Sequence, residues 1–223
     1  MWQHAVSHRQ KIRVTRVRFP IGDQRKNLRF GGTVSAEIEK VPFDCLDAKF
    51  RGRLDHISQT ATLNSCWGKA QVETFSFESI ANFEGVSVFV ARDRVPSQIT
   101  GFSVGTILSP PTRKFFGLEQ LSSAGSKFEP RDGDYHLTWR AVLPEFRNGG
   151  IGLALTNVRI QDAERNQSSN VVGETIGTNS GTIAMHRCMG FETYFRTFHQ
   201  SSSRMYERCY FRMRINHTSK ERG

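Results

Sequence analysis

The stretch Val142-Leu-Pro-Glu-Phe-Arg-Asn-Gly-Gly-Ile-Gly152 constrains this chain more than any other. It ends a run, Tyr135-His-Leu-Thr-Trp-Arg-Ala-Val-Leu143, that reads as a strand closed by Pro144. After it, Leu153, Leu155, Val158 and Ile160 predict a helix to about Arg165, although their period is imperfect. A strand that turns through glycines into a helix leaves unpaired backbone N–H groups and the positive end of the helix dipole at the turn. Gly149, Gly150 and Gly152 carry no Cβ, so a ligand can approach the backbone, and Arg147 adds a cation beside them. The combination suits a pyrophosphate, each hydrogen bond to a charged oxygen contributing about 1.5–3 kcal/mol. The turn lacks the Gly-Lys-Ser/Thr ending of a nucleoside-triphosphate loop and the G-x-G-x-x-G of a dinucleotide site. The purely structural alternative is a tight turn in which the glycines permit close packing.

The flanking pattern is a mixed α/β sheet. Residues 33–41 read as a strand, and residues 44–57 and 71–83 as helix-like stretches with a break at Gly68. Residues 86–91 and 99–108 form β-branched runs that predict an antiparallel hairpin, stopped by Pro110-Pro111. A polar loop is expected over 112–134, long enough to be functional or mobile. Residues 171–178 are strand-like, and residues 182–189 form a short helix ended by Gly190. Residues 192–198 and 205–215 form two long strands joined across 200–203. With the first strand and two early helices, the order is β-α-α-β-β-β-α-β-α-β-β, with helices between the strands of the middle part.

At 223 residues the chain holds one ordinary domain, expected over 31–216 with a basic extension at 1–30 and a short tail at 217–223. Lys and Arg exceed Asp and Glu to give a formal charge of +10, which favours an anionic partner. Much of that surplus lies in the extension, where Arg9, Lys11, Arg13, Arg16, Arg18, Arg25, Lys26 and Arg29 face only Asp23; an edge strand and a solvated arm both fit. No apolar run approaches the ~18 residues of a membrane span, and the first residues do not resemble a secretory leader. Cys45, Cys66, Cys188 and Cys209 form no C-x-x-C pair, which argues against a metal site and for reduced thiols in a cytoplasmic setting. Cys188 reads as a packing residue.

Arg147-x-x-Gly150-x-Gly152, within Ala-Val-Leu-Pro-Glu-Phe-Arg-Asn-Gly-Gly-Ile-Gly, resembles the acyl-CoA-binding motif of the GNAT superfamily of acetyl-CoA-dependent N-acyltransferases. Asn179, Ile183, Met185 and Gly190-Phe191 resemble the family's following segment, and Tyr210-Phe-Arg-Met213 its final strand. The resemblance covers about residues 85–216. It implies a GNAT-like acyl-CoA N-acyltransferase fold and an acetyl group moved from acetyl-CoA to a primary amine by direct transfer in a ternary complex. It further implies that CoA lies where the strand before the motif splays from its neighbour. Val142 and Leu143 would border the pantetheine arm, with Val142 offering backbone hydrogen bonds. The amides of Arg147, Asn148, Gly149, Gly150, Ile151 and Gly152 would wrap the pyrophosphate, and Asn179 would reach the arm from the other side.

Where the family often places a Tyr acid, seven residues after the Asn, this chain has His186. His186 is therefore a candidate acid for the departing thiol, with a packed helix-face imidazole as the alternative. His136 is the first candidate base: its spacing to Val142 resembles that of the base in the histone-acetylating branch, and i and i+6 share a face unless a bulge intervenes. Glu174 is the second. No motif names the acceptor; the charge favours one with a carboxylate or phosphate over a polycation. Alternatives are a longer acyl-CoA or an acyl carrier protein as donor, and a non-catalytic CoA- or RNA-binding module. Homodimerisation is left open.

Overall fold

The computed structural model describes residues 11–12, 36–63, 76–80, 82–93, 98–200 and 205–217. One sheet organises them. Its strands are β1 (Lys11–Ile12), β2 (Glu37–Val41), β3 (Val86–Arg92), β4 (Ile99–Ile107), β5 (Tyr135–Val142), β6 (Asn170–Ile176), β7 (Glu192–Gln200) and β8 (Met205–Arg214). Their spatial order is β1-β2-β3-β4-β5-β6-β8-β7. β5 and β6 pair in parallel, and the other neighbours are antiparallel. The helices are α1 (Ala48–Leu63), α2 (Phe77–Ile80), α3 (Pro110–Phe115), α4 (Ile151–Arg165) and α5 (Ser180–Cys188).

Alternation along the strands feeds two cores. Val88, Val90, Phe102, Val104 and Ala141 pack with Leu54, Ile57, Ala61, Phe77 and Ile80 of α1 and α2. Ile38, Phe89 and Ala91 point the other way, onto Ile151, Ala154, Leu155 and Val158 of α4. The α4 face continues through Tyr135, Leu137 and Val171 to Ile160 and Ala163, with Ile183 of α5 packed beside them. Each large buried side chain among them, a Val, Leu, Ile or Phe, contributes about 1.5–3 kcal/mol. The imperfect apolar period of α4 has a physical reason: Thr156, Arg159 and Asp162 occupy buried positions of the helix.

Of the two readings of the basic extension, the structure shows an edge strand: Lys11 and Ile12 of β1 pair with Glu39 and Ile38 at the sheet edge. The structure departs from the sequence expectations in four places. The expected loop at 112–134 contains α3 and a 3-10 turn over Leu118–Gln120. Pro110 and Pro111 start α3 rather than merely ending β4, because proline suits a first helical turn. Thr112 Oγ1 accepts the Ser109 N–H at 2.7 Å, and buried Leu118 and Leu121 anchor the segment against Val172 and Tyr210.

The third departure lies within β5. Val104 pairs with Trp139 but Thr106 pairs with His136, so β5 spends three steps where β4 spends two. This register shift reverses which residues face α4: Tyr135 and Leu137 pack with α4 residues, Trp139 and Ala141 pack with the α1 core, and Val142 packs with α4 again. His136 and Val142 therefore lie on opposite faces, contrary to the parity expected of a regular strand. Finally, Cys188 is exposed and does not pack. The remainder of the 1–30 extension, residues 33–35, the Gly68 break, residues 71–75, most of the 200–203 turn and most of the 217–223 tail lie outside the described residues. No helix among the described residues is long and apolar enough to cross a membrane.

Candidate functional site

The rungs between β5 and β6 join Tyr135, His136 and Leu137 to Val171, Val172 and Gly173 and then stop. Residues 138–142 and 174–176 face each other without pairing. A cleft of about 690 Å³ opens there. Its lining takes in residues 137–142 of β5, Glu174 and Thr175 of β6, Arg147, Asn148, Gly150 and Gly152 of the turn, and Asn179, Thr182, Met185 and His186 of α5 and its cap. Ala61 and Thr62 of α1 close one end.

The turn has a backbone that its residues suit. Asn148 and Gly150 adopt φ of 62° and 83°, the left-handed region that Asn tolerates and Gly occupies without strain. Gly150 is the N-cap of α4 and offers no side chain to bond the first-turn amides. Arg147 does not simply stand beside these amides. Its Nε donates to the Val142 carbonyl at 3.3 Å and its Nη2 to the Ala61 carbonyl at 2.7 Å, tying the end of β5 to α1. Asn179 caps α5: its Oδ1 accepts the Thr182 N–H at 3.3 Å and its Nδ2 donates to Thr175 Oγ1 at 3.2 Å.

Beneath the turn lie two arginines that the sequence reading missed. Arg140, on the cleft wall, donates to the Gly152 carbonyl (3.2 Å), Thr156 Oγ1 (2.7 Å), Met185 Sδ (3.1 Å) and Thr182 Oγ1 (3.1 Å). Arg159, 2% exposed, donates to the carbonyls of Leu155, Val104 and Trp139 and to Thr156 Oγ1. All these partners are neutral, and among the described residues neither guanidinium makes an ion pair. Burial lowers Arg140 to about 10; burial and the charge of Arg140 lower Arg159 to about 9, so both remain cations at neutral pH. The available signal was a charged residue in an apolar strand and another at a core position of α4; charge is ordinarily read as exposure.

The three catalytic candidates are separated. His186 lines the cleft, is 4% exposed, and lies tilted against Phe191 and edge-on to Phe211, with ring centroids 4.9 Å away in each case. Neither ring nitrogen has a hydrogen-bond partner among the described residues. Burial, then Arg140 and Arg159, hold its pKa well below the usual imidazole range. Glu174 also lines the cleft, on the other face of the sheet, and pairs with Arg208 at 3.4 Å. Burial raises its pKa while Arg208 opposes the rise. His136 is not among the lining residues. It is 2% exposed, tilts against the Phe116 ring at 4.5 Å, and is lowered to about 3 by burial and by Arg159.

Of the residues expected at a cofactor, Val142, Arg147, Asn148, Gly150, Gly152 and Asn179 meet at the cleft. Leu143, Gly149 and Ile151 are not among its lining residues. Leu143 packs in the α1 core with its N–H bonded to the Thr100 carbonyl, and Ile151 packs in the α4 core.

No protein-family model matches this sequence. No curated protein matches it either. Solved structures do match it. The ribosomal-protein-S18-alanine N-acetyltransferase of Escherichia coli superposes with a TM-score of 0.58 at 15% identity, over 83% of this chain and 97% of that one. The ribosomal-protein-alanine N-acetyltransferase of Brucella melitensis gives 0.57 at 21% identity, over 80% and 99%. A Salmonella typhimurium protein assigned as an acetyltransferase, solved with its cofactor acetyl-CoA, gives 0.58 at 14% identity, over 84% and 99%. With its splayed β5–β6 pair and its Gly150-capped α4, this chain has the fold of the GNAT superfamily of N-acetyltransferases.

Proposed function

We propose that this chain is an N-acetyltransferase that binds acetyl-CoA in the β5–β6 cleft and passes its acetyl group directly to an amine. The catalytic domain spans 31–216, with 1–30 as a basic extension and 217–223 as a tail. The observation that carries the reading is the meeting, in one cleft, of uncapped amides at the start of α4 with a half-buried cation, Arg140, that makes no ion pair among the described residues. An anion in that cleft would gain hydrogen bonds from the first and charge compensation from the second. The glycines at 150 and 152 leave the backbone open to it. The likeness to N-acetyltransferase structures, one solved with acetyl-CoA, supports the same choice of ligand.

Acetyl-CoA supplies an activated acetyl group and a thiol leaving group. The chain supplies position and proton handling. The turn from Arg147 to Gly152 holds the diphosphate, Asn179 and the open edge of β5 near Val142 hold the arm, and Glu174 accepts a proton from the incoming ammonium. A lysine-type amine at pH 7 costs about 4–5 kcal/mol to deprotonate, which a nearby carboxylate offsets in part. His186 is held neutral, so it serves as a hydrogen-bonding partner for the sulfur rather than as an imidazolium acid. The large depression at His136, its absence from the lining and its packing on Phe116 favour a structural role there.

The test is thiol release from acetyl-CoA with a panel of amines, with products identified by mass spectrometry. Amine-dependent release with a mass gain of one acetyl group on the amine is expected. Binding of acetyl-CoA with no release across the panel would count instead for a non-catalytic module.

A further inference from the structure

Leu137 against Gly173 is the last rung between β5 and β6, so Glu174 is the first β6 residue with the cleft on its β5 side, while its other side pairs with Tyr210 of β8. It points to the same face as Val172, whose neighbours are Leu108, Leu118, Leu121 and Tyr210. That face is opposite to α4 and α5, which pack on the Val171 side. There Glu174 meets Arg208 of β8 at 3.4 Å, the two side chains 23% and 18% exposed. Arg208 Nη2 also donates to the Tyr206 hydroxyl at 3.1 Å. Arg208 Nε and the Tyr194 hydroxyl are buried and have no hydrogen-bond partner among the described residues. A carboxylate that lines the cleft thus sits beside a guanidinium just behind the lining, among phenols, with polar capacity unused.

Resting on the acetyl-transfer reading above, we infer that this pair recognises the acceptor and that the acceptor is an α-amino acid with a free carboxylate. Its ammonium goes to Glu174 and its carboxylate to Arg208. The two charges of such a zwitterion lie on adjacent carbons, matching charges of opposite sign held 3.4 Å apart. A polyamine would set a second cation against Arg208. A peptide N-terminus would leave Arg208 without an anion, and an alkylamine likewise. Guanidinium is the side chain best shaped for a carboxylate.

In the reaction, Glu174 takes one proton from the ammonium and passes it to water. The amine lone pair then forms the new C–N bond at the acetyl carbonyl carbon, and the C–S bond breaks with its electron pair going to sulfur. A second proton leaves the nitrogen and ends on the sulfur. The products are the N-acetyl amino acid, the CoA thiol and one proton in solution.

The experiment compares, on the full wild-type chain with acetyl-CoA, free amino acids with their own carboxamides, alkylamines and short peptides. At least one free amino acid is expected to exceed its carboxamide in kcat/KM by about 10- to 100-fold, the range of one charge-assisted contact. Arg208→Gln should close that gap chiefly through KM, and Arg208→Lys should restore part of it. A carboxamide acetylated as fast as the acid would overturn the inference. Turnover confined to peptides or polyamines would do the same, as would a gap that survives in Arg208→Gln. If acetyl-CoA binds the wild-type chain and another amine is acetylated but no amino acid is, only this inference fails. If acetyl-CoA produces no binding heat, the acetyl-transfer reading fails first and takes the inference with it.

Discussion

Arg140 and Arg159 share an acceptor: Thr156 Oγ1 receives Arg140 Nη1 at 2.7 Å and Arg159 Nη2 at 3.2 Å. Two cations thus converge on one neutral hydroxyl beneath the first turn of α4. A cation without a counter-charge in a half-buried setting carries a desolvation cost, which an apolar side chain of similar volume avoids. The Arg140→Met variant should therefore hold or raise the thermal midpoint of the ligand-free protein. It should also weaken acetyl-CoA about 10- to 100-fold, because the anion loses a charge-assisted partner. Thermal unfolding and a binding titration on the same sample check both halves. Unchanged affinity would remove Arg140 from the site.

With Glu174 as the proposed base, its titration governs the pH dependence of turnover. Burial raises its pKa, with Arg208 opposing and the Tyr194 and Tyr210 phenols close by. A base works ionised, so kcat/KM should fall as pH drops through a pKa above the ordinary carboxylate value of 4.5. The Glu174→Gln variant should lose this limb and about 10²–10⁴-fold in kcat. A variant that retains turnover and the limb would assign the base elsewhere.

His136 predicts a component of acid lability. Its folded pKa is about 3 against 6.5 for the free imidazole. As pH falls below about 6.5 the unfolded chain takes up this proton and the folded chain does not, so the contribution is full above that pH and is lost toward about 3. His136→Phe keeps a ring against Phe116 and removes the proton. Its stability should fall less steeply than wild type between pH 6 and 4, by about 1.4 kcal/mol per pH unit. Denaturant unfolding across that range measures the slopes; equal slopes would mean that His136 is protonated in the folded state.

Gly105 tests the packing around the β5 register shift. A Cβ there would lie 2.0 Å from the Tyr135 hydroxyl, which donates to Asp162 at 3.0 Å. Gly105→Ala should cost about 1–3 kcal/mol by overpacking. A variant as stable as wild type would show that Tyr135 can move aside freely.

The middle of the chain was legible because local chemistry decides it. Pro144 and the glycines at 149, 150 and 152 can hardly be read other than as a strand-to-helix turn, and the β-branched run at 86–92 alternates onto two cores. What stayed hidden depends on pairing across the sheet. The shift that sends His136 away from Val142 is a relation between β4 and β5, and nothing within β5 announces it. Pro110-Pro111 was ambiguous, since proline ends strands and begins helices alike. Arg140 and Arg208 carry no local mark of their roles, because burial and partners belong to the folded state.

The central claim is that the amides at the start of α4 grip the diphosphate of acetyl-CoA. Calorimetric titration of acetyl-CoA into the wild-type chain and into Gly150→Ala tests it most directly, because φ of 83° at Gly150 strains any residue with a Cβ by about 1–2 kcal/mol. One saturable site is expected in the wild type, with affinity roughly tenfold weaker in the variant. No heat from the wild type, or equal affinity in the two proteins, would contradict the account.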